Sequence, residues 1–411
     1  MTAMEKNNKT LNVPNLRFPE FSGEWEKCTL GSIGETFNGL TGKSAVDFGS
    51  GSPYITYKSI FDSSKIDISK VEYVKITETE RVKQTQNEVE YGDIFFTTSS
   101  ETPEEVGMAS VLLSEIRDCY LNSFCFGYRL FDKCIHQPDF FRFYLRSSNL
   151  RKKIAILAQG STRFNISKNE VMKMPIFLPS MAEQRKISKL LSLIEDRIET
   201  QRKIIEDLKK LKDAICNMNF TSGSALKLGN VGKFVRGLTY SASDVIDDTM
   251  GTAVMRSNNI SNGDPANFEE LIWVNKTPNH EQILRGGDII ICMANGSSPL
   301  VGKASYYIDC GMESATVGAF CGIYRSYNPL TKWLFQSKHY KKHIQRCIQG
   351  GNGAIANIYP EDILAISFNI PSGYERVLNV LNSLEEKYLL EQKLLYRYLA
   401  VKSHLLAQMF I

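Results

Sequence analysis

Between Ser180 and Met218 the apolar residues Ile187, Leu191, Ile194, Ile198, Ile205 and Leu208 recur at steps of four and three, with polar residues between them and neither Gly nor Pro. That spacing places them on one seam of a long helix. At 1.5 Å per residue it predicts an element on the order of 55 Å long, which needs a partner helix to cover the seam. The partner is the C-terminal stretch from Ser372 to Ile411, which superposes on the first at a constant offset of 191: Arg185 on Arg376, Leu190 on Leu381, Ser192 on Ser383, Leu193 on Leu384, Gln201 on Gln392, Leu208 on Leu399 and Met218 on Met409. The match is internal, so the chain is a duplication and repeat detection governs the reading.

The segments before the two helices repeat as well. Residues 30–41, LGSIGETFNGLT, align without gaps to residues 228–239, LGNVGKFVRGLT. Gly92-Asp93-Ile94 answers Gly287-Asp288-Ile289, each opening an apolar strand through a turn. Val106-Gly107 pairs with Val301-Gly302, Phe124-Cys125 with Phe320-Cys321, Tyr128-Arg129 with Tyr324-Arg325, and Gln159-Gly160 with Gln349-Gly350. Strand-like runs mixed with helical ones give a mixed α+β class of α/β fold. The expected organisation is an N-terminal arm (1–24), a first recognition domain (25–179), a central helix (180–220), a second recognition domain (221–371) and a C-terminal helix (372–411). Two similar domains joined by two long helices predict an antiparallel coiled coil, a pseudo-twofold between the halves, and chain ends that lie close together. Loops that diverge on matched scaffolds suggest two versions of one recognition surface.

A length of 411 residues fits two or more domains. Nine Cys without a Cys-x-x-Cys pair read as reduced thiols, with no disulfide framework or zinc site. No apolar run is long enough to span a bilayer, and a cytoplasmic location is expected. Catalytic signatures fail one by one. Gly42-Lys43-Ser44 lacks the Gly of a phosphate-binding loop, since Phe37 stands there. No Asn-Pro-Pro-aromatic run, Gly-x-Ser-x-Gly elbow or His-Glu-x-x-His pair occurs. Glu385 and Lys387 have nuclease-like spacing but no upstream acidic partner, and read as a solvated helix face. No catalytic residue, metal ligand or cofactor site is expected in this chain.

The signals for a partner are basic and polar. Arg142, Arg146, Arg151, Lys152 and Lys153 precede Gln159-Gly160, while Lys338, His339, Lys341, Lys342, His343 and Arg346 precede Gln349-Gly350. Such clusters neutralise phosphates. Of these, Arg151, Lys152, Lys153, Lys341, Lys342 and Arg346 are the candidate phosphate contacts. Base edges require donors and acceptors on loops. The candidates are Lys58, Ser59, Thr97, Thr98, Ser99, Ser161, Thr162 and Arg163 in the first copy, and Arg256, Ser257, Asn258, Asn259, Asn295, Ser297 and Asn352 in the second. Taken singly, each also fits an ordinary turn or solvated face. The domains are nearly neutral, with 19 Lys and Arg against 20 Asp and Glu over residues 24–179, and 13 against 12 over residues 226–370. Strong duplex binding would therefore draw charge from a partner subunit.

The duplicated Leu-Gly-x-x-Gly, the paired Gly-Asp-Ile strands, Gln-Gly followed by Asn-Ile, Pro-Ser before each helix and Glu183-Gln184-Arg185 at the helix start resemble the specificity subunit of type I restriction-modification systems, from Trp25 to Ile411. The second copy departs at Glu375-Arg376, which lacks the Gln. The resemblance implies two target-recognition domains, each reading half of a split, asymmetric site in double-stranded DNA, with helices that set the spacer and dock two methyltransferase subunits. It implies restriction subunits joining that core, and it assigns S-adenosylmethionine, ATP and Mg to the partners. Two readings of other classes remain: a coiled-coil scaffold without base readout, and a duplicated-domain DNA-modifying enzyme.

Overall fold

The computed structural model describes residues 12–84, 87–247, 249–312, 314–350 and 355–411. The chain divides into two compact units, Met1–Gln201 with Leu394–Ile411, and Arg202–Lys393. Both boundaries fall inside long helices. The first helix runs unbroken over Met181–Asn219, 39 residues, and the second over Tyr374–Gln408, 35 residues. Each unit therefore holds one α/β domain and a length of both helices.

In the first unit a four-stranded antiparallel sheet has the order Gly34–Asn38, Cys125–Leu130, Ile94–Thr97, Ala109–Val111. A smaller sheet pairs Phe48–Ile55 with Glu72–Val74 and, in parallel, with Tyr120–Leu121. Glu26–Thr29 pairs antiparallel with Pro175–Leu178, so the domain closes where it opened, just before the long helix. Two apolar cores lie on either side of this framework. One joins Ile94, Phe96, Tyr128 and Phe140 to Ile187 and Leu191 of the first helix and to Met409 and Phe410. The other gathers Phe37, Ile55, Phe95 and Leu121 away from the helices.

The end of the second helix is anchored in this unit. The Phe410 ring packs against Phe140 and Tyr144, each at 5.6 Å between centroids, and Asn149 Nδ2 donates to the Phe410 carbonyl at 2.9 Å. The helices run antiparallel here: Lys402 Nζ meets Glu195 at 2.6 Å, and Arg197 Nε donates to Tyr398 Oη at 3.1 Å. Glu195 also receives Arg142 at 3.0 Å, which ties the domain to both helices. The N-terminal arm closes the unit. Leu16 N donates to the Gln408 carbonyl at 2.9 Å, and Arg17 forks onto buried Glu183 at 2.7 and 2.8 Å. Gln184, equally buried, donates to the Pro179 carbonyl and accepts from Gln137 N, each at 2.9 Å. The Glu-Gln of the helix start thus fastens arm and domain to the helix.

The second unit repeats the plan. Its main sheet has the order Gly232–Arg236, Cys321–Ser326, Ile289–Cys292, Ala304–Tyr306. A second sheet contains Thr252–Met255 in parallel with Ala315–Val317. Ser224–Lys227 closes on Ser367–Ile370. The Gly-Asp anchors have one role in both units. Gly92 and Gly287 adopt φ of +86° and +89°, where Gly carries no steric penalty. The Asp that follows forms a forked ion pair with the repeated Arg, Asp93 with Arg129 and Asp288 with Arg325. The Tyr beside that Arg donates to the carbonyl of the Leu in Leu-Gly, Tyr128 to Leu30 and Tyr324 to Leu228, both at 2.8 Å. Most of the sequence repeat is this scaffold.

Glu385 is not on a solvated face. It is 3% exposed, its carboxylate lies 2.5 Å from Lys212 Nζ of the first helix, and it accepts from Tyr306 Oη. The Lys212 ammonium also sits 4.2 Å from the Tyr388 ring centroid. Tyr388 Oη donates to Asp264 at 2.9 Å and accepts from Gln392 Nε2 at 3.0 Å. The helix seam therefore carries buried polar residues, Gln201 and Lys212 among them. Register is fixed by ion pairs and hydrogen bonds as well as by apolar packing. All nine cysteines are free thiols, and among the described residues no helix is long and apolar enough to cross a membrane.

Candidate nucleic-acid interface

At the end of the central strand of each main sheet, the chain leaves the core and meets two other segments. In the first unit Ser99–Ser100 pairs with Phe164–Asn165, which brings the loop after the strand against the hairpin 159–165. Gln159 and Asn165 exchange backbone hydrogen bonds at 2.9 and 2.8 Å, and Gly160 turns the hairpin with φ of +131°. The short helix Tyr57–Asp62 joins from the other side, where Tyr57 Oη donates to the Ser99 carbonyl at 2.6 Å. The second unit repeats the junction. Ala294–Asn295 pairs with Ala356–Asn357, Gln349 and Asn357 exchange bonds at 2.9 Å, and Asn295 Nδ2 donates to Ser257 Oγ at 3.2 Å.

Three of the polar segments chosen from sequence therefore converge in each unit, but their side chains divide. In the first unit Ser161, Thr162 and Arg163 stand exposed on the hairpin tip. Lys58 is exposed and pairs with Asp62 one turn on, at 2.5 Å. Ser59 is tied to the helix cap Thr56, its N–H donating to Thr56 Oγ1 and its hydroxyl to the Thr56 carbonyl. Ser99 and Thr98 are half-buried, and Thr98 Oγ1 donates to the Phe124 carbonyl at 2.8 Å. Thr97 is fully buried, its hydroxyl accepting from Met108 N at 3.0 Å, and has no surface to offer DNA.

In the second unit Asn258 and Ser297 are exposed, and Arg256 and Ser257 half-buried. Asn259 is a correction to the sequence reading. It is fully buried, accepting from Arg256 N at 2.8 Å and donating to the Glu269 carbonyl at 2.7 Å, so it holds the loop together. Asn295 likewise commits both ends of its amide, one to Ser257 and one to Ser297 N. Asn352 lies outside the described residues.

The basic helices divide in the same way. Ser148–Ile156 and Lys338–Cys347 each precede their Gln-Gly turn, but Arg151 is half-buried. Its guanidinium donates to the carbonyls of Gly107, Val106 and Glu104 at 2.7, 2.5 and 2.7 Å, and burial pushes its pKa down to about 10. Arg146 is similarly committed to the carbonyls of Ala109, Ile60, Phe61 and Ser63, with burial lowering it to about 10. Three carbonyls take three of the five guanidinium donors and tie the side chain to the 104–107 turn, which corrects Arg151 from a free phosphate contact to a residue that holds that turn. Lys153 is half-buried over the Phe177 ring at 5.4 Å, and burial lowers its pKa. Lys152 is exposed. In the second unit Lys342 and Arg346 are exposed and Lys341 half-buried.

Sequence reading overlooked an apolar member of each junction. Phe124 and Phe320, matched in the repeat, are 65% and 64% exposed. Phe124 lines a groove of about 480 Å³ together with Tyr57, Phe61, Ser99 and Arg163. The available signal was a large apolar residue kept in both copies at a turn, where polar residues are usual.

Four similarities bear on this arrangement. A sequence model described as type I restriction modification DNA specificity domain matches residues 22–210. The putative type I restriction enzyme MjaX specificity subunit of Methanocaldococcus jannaschii is 31% identical over 223 residues, covering 52% of this chain and 50% of that protein. The match thus spans about half the length of that relative. The crystal structure of a type I restriction-modification S subunit from M. genitalium shares the fold with a TM-score of 0.56 at 15% identity, over 97% of this chain and 99% of that one. A chain from a structural study of assembly and conformational transition of the type I R-M system gives 0.52 at 14% identity, over 93% and 96%.

Proposed function

We propose that the chain, whose residues 22–210 match this domain, is a type I restriction-modification specificity subunit and supplies the DNA address of such a complex, each domain reading one half of a bipartite, asymmetric site. The observation that carries this reading is the repeated junction. On one scaffold, three segments meet twice and present different polar side chains: Ser161, Thr162 and Arg163 on one, Arg256, Asn258 and Ser297 on the other. Side chains of these types contact base edges through donors and acceptors, and Arg163 and Arg256 suit guanine. Lys152, Lys342 and Arg346 contact phosphates and set position without reading sequence.

In this reading the chain is not a catalyst. S-adenosylmethionine, ATP and Mg belong to methyltransferase and restriction subunits that assemble with it in the cytoplasm. Exposed Leu193, Met218, Leu390 and Tyr396 on the long helices provide apolar surface for two methyltransferase subunits. Those subunits also supply cationic surface that the nearly neutral domains lack. The helices set the unread spacer between half-sites. The test is gel-shift or anisotropy titration of duplex libraries with the chain and its methyltransferase partner at several salt concentrations. Selection of a split consensus supports the reading. Assembly without any preferred sequence would leave the chain a scaffold.

A further inference from the structure

Phe124 and Phe320 are held as if for display. The Phe124 carbonyl accepts from Thr98 N at 3.0 Å and Thr98 Oγ1 at 2.8 Å, and its amide donates to Asn122 Oδ1 at 2.7 Å. The Phe320 carbonyl accepts from Met293 N at 2.8 Å and Ala294 N at 3.2 Å. Backbone held in this way, on both sides of Phe124 and at the carbonyl of Phe320, fixes where each Cα–Cβ bond points, so less ordering remains to be done on binding. The identities beside each ring differ, Ser99-Ser100 in one copy and Ala294-Asn295 in the other, yet the ring is the same. Whatever it touches is common to both half-sites.

Besides the sugar edges, a duplex offers an aromatic feature that does not depend on sequence, the faces of the stacked bases. Beside Phe124, Tyr57 and Phe61 are stacked at 5.9 Å with 17° between planes, and Ser99 and Arg163 border the same groove. An apolar ring flanked by hydrogen-bonding groups is the arrangement of proteins that insert a wedge between base steps. We propose that Phe124 and Phe320 are sequence-independent wedges, one per half-site, each entering the base stack beside the residues that read base edges. This rests on the DNA-reading function above.

The test uses the assembled complex of this chain with its methyltransferase partner. F124A, F320A and the double variant are compared with F124W and F320W, on duplexes carrying 2-aminopurine stepped through each half-site. The rings are solvent-exposed, so folding is checked by circular dichroism and is expected to be unchanged. Each Ala variant should weaken binding about tenfold on preferred and scrambled duplexes alike, and abolish the 2-aminopurine signal of unstacking in its own half-site. The Trp variants should keep both. Unchanged affinity would overturn the proposal. Loss of assembly without DNA would overturn it in favour of a contact with the partner protein, and a changed preference at one base pair would make the ring an edge reader instead. The wild-type complex is the internal control: if it selects no sequence, the DNA-reading function itself fails.

Discussion

Arg151 and Lys152 are adjacent in sequence and opposite in role. Arg151 satisfies three backbone carbonyls of the 104–107 turn, while Lys152 faces solvent. Replacing Arg151 by Ala strips those carbonyls of their donor and is expected to destabilise the first unit by about 2–4 kcal/mol, read as a drop in its unfolding midpoint. Lys152→Ala should leave that midpoint unchanged and lower the salt slope of DNA binding by about one. The opposite pattern would reverse the two roles. Spacing along a helix shows that a cluster is basic but not which carbonyls lie above it. A chemical cue was present in the first copy, where the members committed to backbone carbonyls, Arg146 and Arg151, are both Arg, the side chain with a rigid fork of donors, and the one fully exposed member is Lys152. Asn259 and Thr97 were misread for the same reason, since short polar side chains serve turns and recognition equally well.

At the level of elements, periodicity located the two long helices, and the repeat located the strands around Gly-Asp. Val106-Gly107 and Val301-Gly302 show why such anchors persist. Gly107 and Gly302 have φ of +63° and +79°, and a Cβ on them would stand 2.9 Å from Ile154 and 2.1 Å from Ile344. Gly302→Ala should therefore lower stability by about 2–4 kcal/mol, more than Gly107→Ala, in thermal unfolding. Equal, negligible effects would show that the basic helices are not packed against these turns. The helix seam held a feature the apolar pattern concealed, the buried Lys212–Glu385 pair. Lys212→Ala leaves a carboxylate buried without its cation and should cost about 3–5 kcal/mol, whereas Lys212→Met with Glu385→Leu should recover most of it. Denaturant titration of the three proteins checks this, and a double variant as unstable as the single one would contradict it.

For the whole molecule, the duplication was legible because both copies share one Asp-Arg-Tyr scaffold, and the reading surface was not, because it is built from what the copies do not share. If helix length sets the spacer, four residues inserted after Gln201 add about 6 Å of helix. The unread spacer should then grow by one or two base pairs, at about 3.4 Å each. Mapping of methylated sites in a host carrying the variant checks this, and an active variant with an unchanged spacer would contradict it. The central claim, that the two domains read independently, is tested most directly by exchanging residues 226–370 for the same domain of a homologue and selecting duplexes from a random library with wild-type and chimaeric complexes. The account predicts one altered half-site beside one identical half-site. Alteration of both halves, or of neither, would contradict it.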